Sequence, residues 1–166
     1  MIWRRRSIAI LAVLVALAAG CGGDNSLGGS VSELFPLDVS RVEVRRNAEA
    51  VQVSYYNNRG ADIDLVARVT VALQGIDSRP GKKIDLSGEY QPGHLRTTVI
   101  HLAWGEPPRN LPPVKRGDMT ISSGGNPGES TRGNFSMSFD QGGDIGAGRT
   151  LYGSFSSAAL DGGFGP

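Results

Sequence analysis

Few side chains in this 166-residue sequence are of types and spacings that do chemistry, and they fall in small groups. Asp62 and Asp64 stand two residues apart, which on a strand puts both carboxylates on one face, where they could hold a cation or work as an acid/base pair. Asp85 or Glu89 could join them from a neighbouring strand, although acids alternating along a solvent face are the commoner pattern. Asp140 and the Gly142-Gly143-Asp144 run form a second group, a loop whose bare backbone carbonyls could join the carboxylates around calcium. Its spacing fits neither the EF-hand loop nor the nonapeptide calcium repeat, and a hairpin loop needing positive φ accounts for the same glycines. His94 and His101 are the only histidines. Serine catalysis would need one of them beside an activated hydroxyl, and neither a Gly-x-Ser-x-Gly elbow nor a Ser-x-x-Lys signature occurs. Tyr55, Tyr56, Tyr90 and Trp104 could offer faces for stacking sugars, though sheet packing explains most of them. Cys21 is the only cysteine, so an intrachain disulfide and a cysteine metal site are excluded, and no cofactor is expected.

The surroundings of Cys21 give it a different chemistry. Arg4, Arg5 and Arg6 precede an apolar run over residues 8–19, the layout of a secretory signal peptide. The run is shorter than the ~20 apolar residues a helix needs to cross a bilayer. Leu17-Ala18-Ala19-Gly20-Cys21 resembles the lipobox of bacterial lipoprotein precursors, with Ala18 where that family usually has leucine. The resemblance implies removal of residues 1–20, diacylglycerol on the Cys21 thiol and acylation of the new amino terminus. Each buried methylene contributes about 0.8 kcal/mol, so two or more chains hold a protein on a bilayer. Gly22, in place of an aspartate, resembles the outer-membrane class of that family, and the expected location is the outer membrane. Arg5-Arg6-Ser7-Ile8 also resembles a twin-arginine export motif, but a plain basic leader explains it equally. The alternative is an ordinary cleaved signal that leaves a free thiol.

Without the leader the chain carries 14 basic and 16 acidic side chains, a balance that steers it toward neither nucleic acid nor acidic lipid. Its 146 residues suit one domain. The same stretch holds 23 glycines, far above the ~7% of average usage, placed between alternating apolar runs without a fixed period. Short strands joined by tight turns use glycine in this way.

Those strands must position whatever chemistry exists. Val42 and Val44, then Val51, Val53 and Tyr55, alternate with polar residues across a break at Asn47, which predicts an antiparallel pair. Ile63, Leu65, Ala67, Val69, Val71 and Leu73 predict a long central strand with Asp62 and Asp64 on its opposite, wet face. Arg79-Pro80-Gly81-Lys82 is a type II turn, and Pro107-Pro108 with Pro112-Pro113 predicts a crossover between sheets. Phe135, Met137 and Phe139, then Leu151, Gly153 and Phe155, predict a terminal hairpin with serines outside. The expectation is an all-β protein: residues 21–33 a lipidated cysteine and flexible tether, 34–160 one antiparallel β-sandwich of about eight strands, 161–166 a disordered tail. A small closed barrel is the alternative. In function the expectation is a non-enzymatic, monomeric envelope module that binds a protein or polysaccharide. A metal-dependent or hydrolytic enzyme built on His101 and the carboxylates, or a small carrier of an apolar ligand, are the competing readings.

Overall fold

The computed structural model describes residues 25–124, 126, 128–143, 145–161 and 164, the side chain of Asp161 apart. It is an all-β fold. In chain order the strands are β1 (Ser26–Gly28), β2 (Arg41–Arg46), β3 (Ala50–Arg59), β4 (Asp62–Ala72), β5 (Lys83–Asp85), β6 (Glu89–Gln91), β7 (His94–Leu95), β8 (Thr97–Leu102), β9 (Arg109–Asn110), β10 (Val114–Ser123), β11 (Ser130–Phe139) and β12 (Thr150–Asp161). Among the described residues the one helical element is a 3-10 turn, Ser30–Glu33.

One sheet runs in the order β5-β10-β11-β12-β2-β3-β4-β8-β9, and β6 and β7 form a separate small ribbon. β12 joins the two halves: residues 150–158 pair with β11, and Ala159 to Asp161 pair with β2. That second pairing is parallel, and every other ladder is antiparallel. The sheet curls at this strand so that its halves face each other over one core. Tyr55 of β3 meets Phe135 of β11 edge to face at 6.1 Å, and its hydroxyl donates to the Ser154 carbonyl of β12 at 3.0 Å. The ends β5 and β9 do not pair with each other, so the curl is open and sandwich-like. Twelve strands stand where about eight were expected because β1, β6, β7 and β9 are only two or three residues long, too short to leave a periodic trace.

The hairpin across Asn47 forms as its pattern requires, with the Asn47 side-chain oxygen accepting the Glu49 and Ala50 amides. Gly81 turns at φ 82°, and the proline-rich segment carries the chain from β8 in one half to β10 in the other. Glycines inside strands have a different use. Gly133 lies opposite Phe155, and Gly153 opposite Phe135, so each ring covers the place where a side chain would stand.

Of the expected tether, 21–33, residues 25–33 are described, and they are packed on the domain. Ser26–Gly28 pairs with the last strand, the Asn25 side-chain oxygen accepts the Ser156 amide at 2.6 Å, and Val31 is fully buried. Ser30 and Thr150 hold each other by reciprocal backbone-to-hydroxyl bonds of 3.1 and 2.9 Å. Side-chain caps of this kind are invisible to composition, which reads Gly, Ser and Asn as loose chain. The last strand runs to Asp161, the first residue of the expected tail.

Candidate functional site

The site begins with a fault in the ladder of β4. Tyr55 pairs with Ala67 and Tyr56 with Leu65, which leaves Val66 as an extra residue. On the other side Leu65 pairs with Leu102 and Arg68 with Ile100, so Val66 and Ala67 share the place opposite His101. This is a β-bulge, and its first effect is to invert the alternation upstream of it. Ile63, expected inside, is 49% exposed, while Asp64, expected in water, is 8% exposed.

The second effect concerns His101. The Val66 carbonyl faces its Nδ1 at 2.9 Å. A carbonyl oxygen only accepts, so Nδ1 carries the proton, and in the neutral ring Nε2 keeps the lone pair. Phe35, delivered by the segment after the 3-10 turn, stacks on the imidazole at 3.9 Å between centroids and 14° between planes. The ring is thus fixed by one hydrogen bond and one flat contact, and it lines a cleft of about 550 Å³ at one end of the sandwich.

Asp62 and Asp64 line the same cleft, at the end of the β3–β4 hairpin. Asp64 is committed on both oxygens: Oδ1 accepts the Trp104 amide at 2.7 Å, and Oδ2 meets Arg59 Nε at 3.0 Å. Across the opening Arg109 donates to Glu106 at 2.7 Å. Trp104, in the turn after β8, stands 67% exposed on the rim while its backbone is tied down by Asp64. Aromatic side chain outside, backbone fixed: the ring is offered to solvent on a stiff base.

Sequence reasoning found Asp62, Asp64, His101 and Trp104, and the structure brings all four to one cleft. Asp85 and Glu89 do not join them. Asp85 sits on β5, beside β10, and its Oδ1 accepts the amide and hydroxyl of Ser87; Glu89 accepts the Gly93 amide. Among the described residues no three His, Cys, Asp or Glu side chains gather into a metal cage. Asp140 is found where its backbone accepts the Gly148 amide and donates to Pro113, closing the loop through main-chain bonds. Its proposed calcium partner Asp144, and the lipidation site Cys21, lie outside the described residues. Arg59, Arg109, Glu106 and Phe35 were missed: Arg59 and Glu106 lie within three residues of Asp62 and Trp104, but only the convergence of the strand ends brings them, with Phe35 from far along the chain, to one cleft.

A second depression, of about 640 Å³, lies on the outer face of β5, β10, β11 and β12, where Lys83 and Asp118 pair at 3.3 Å beside Arg116 and Ser136. It is a shallow hollow on a regular, serine-rich face, with no aromatic ring among the described residues that line it, so the cleft at His101 is the better candidate. Compared with protein-family models, curated proteins and solved structures, the chain matches none of them.

Proposed function

We propose that this chain is an exported envelope lipoprotein, fixed to the outer membrane through Cys21, whose domain acts as a monomer and binds a polar ligand without transforming it. The cleft carries this reading: it combines an exposed tryptophan, a fixed imidazole and paired charges on rigid strand ends. Binding is favoured over catalysis because no Ser, Thr or Cys lines the cleft among the described residues, and both oxygens of Asp64 already hold the fold. Three residues separate Cys21 from Asn25, a reach of at most about 14 Å. Asn25 is tied at Ser156, whereas the loop bearing the cleft residue Ile145 leads into Thr150, about 20 Å away along β12. The leash therefore starts from the Ser156 end of β12 and not from the cleft end.

Intact-mass spectrometry of the protein from a membrane fraction tests the anchor. The expected species begins at Cys21 and carries diacylglycerol plus an acyl chain, and Cys21→Ser moves the protein to the soluble fraction. A free thiol on the membrane-bound protein, or membrane retention of Cys21→Ser, would overturn it.

A further inference from the structure

We infer that the ligand of the cleft is a neutral oligosaccharide, seated with one sugar ring flat on Trp104; this rests on the reading of the cleft as a binding site. A sugar ring has an apolar C–H face and a rim of hydroxyls that both donate and accept. Its counterpart needs an exposed aromatic plane beside fixed polar groups of both kinds.

Trp104 is such a plane. The amide of Trp104 is held by a buried carboxylate, so the backbone beneath the ring is already ordered and binding fixes only the ring's own two torsions. Around it stand acceptors (Asp62, and Nε2 of His101 once Nδ1 is committed to Val66) and donors (the remaining N–H groups of Arg59 and Arg109).

The charge pattern points the same way. Each cleft arginine is neutralised by its own carboxylate, Arg59 by Asp64 and Arg109 by Glu106, and Asp62 adds one further negative charge. A phosphate or carboxylate ligand would have to compete with those carboxylates, since among the described residues each arginine of the cleft is already paired. An uncharged polyol can use the same N–H groups without breaking a pair. A cleft of about 550 Å³ holds two or three sugar rings.

The test uses the sequence's own fluorophores. Trp3 and Trp104 are the only tryptophans, so full-length protein carrying Trp3→Phe, in a zwitterionic detergent free of sugar headgroups, reports from the cleft alone. The probes are glucose-based and N-acetylglucosamine-based trisaccharides, with inorganic phosphate as the anionic comparison, followed by solubilised envelope extract either untreated, periodate-oxidised or protease-digested. The expected result is a saturable blue shift of Trp104 emission with a trisaccharide and none with phosphate. Calorimetry should then give binding weakened about tenfold or more by Trp104→Ala, and by Asp62→Asn to a smaller extent. With extract, the shift should survive protease and vanish on periodate treatment. A shift that survives periodate and vanishes with protease, or one produced by phosphate, would overturn the sugar while leaving the cleft a binding site. Silence toward every probe and extract would overturn both.

Discussion

Strands β11 and β4 lie in opposite halves of the sandwich and handle the period of two in opposite ways. Along β11, Thr131, Gly133, Phe135, Met137 and Phe139 point inward without a break, and the outer positions carry Asn134, Ser136 and Ser138. The face that results is a regular serine-rich surface. Along β4 the period is interrupted once, at Val66, and the interruption turns Asp64 inward and hands a main-chain carbonyl to His101. Regularity builds the wall, and one inserted residue builds the cleft.

The contrast can be broken first on the regular side. Phe155, fully buried and filling the gap left by Gly133, should cost about 3–5 kcal/mol when replaced by alanine, measured by chemical unfolding. Tyr55 supplies a pH probe of the same core, because burial pushes its hydroxyl well above the ordinary range. The folded state therefore keeps a proton that the unfolded chain gives up, so stability is complete below about pH 10 and falls as pH rises further. Alkaline unfolding curves should flatten in Tyr55→Phe, and an unchanged curve would count against this placement.

On the bulged side, Asp64→Ala leaves the Trp104 amide and Arg59 without their acceptor and should cost about 1–3 kcal/mol, with Asp64→Asn closer to the native protein. Equal costs for the two variants would mean that charge, and not the amide bond, holds the rim. The smallest effect belongs to neither half. Asp77, exposed and bonded to Arg79, has its carboxyl lowered to about 2. Its modest, salt-screened contribution is present above about pH 4 and lost as pH falls through about 2, and an acid titration of Asp77→Asn should differ from native only in that window.

The two sides also differed in how plainly the sequence announced them. The terminal hairpin of β11 and β12, the pair across Asn47 and the proline-rich crossover were legible, because alternation and turn residues are local signals. The inward turn of Asp64 was not, since Ile63-Asp64-Leu65-Val66-Ala67 continues an alternating run and nothing in the residue types marks Val66 as extra. Only the partners on β3 and β8 determine where a ladder slips. The packing of residues 25–33 was hidden for a similar reason: its hydrogen bonds go to Thr150 and Ser156, more than a hundred positions away.

The bulge at Val66 is the step on which the cleft depends, and the ring nitrogens of His101 report on it directly. In nitrogen-15 spectra recorded with the imidazole neutral, Nδ1 should appear protonated and Nε2 bare, because the Val66 carbonyl faces Nδ1. The opposite tautomer would mean that the carbonyl is elsewhere and the bulge misplaced.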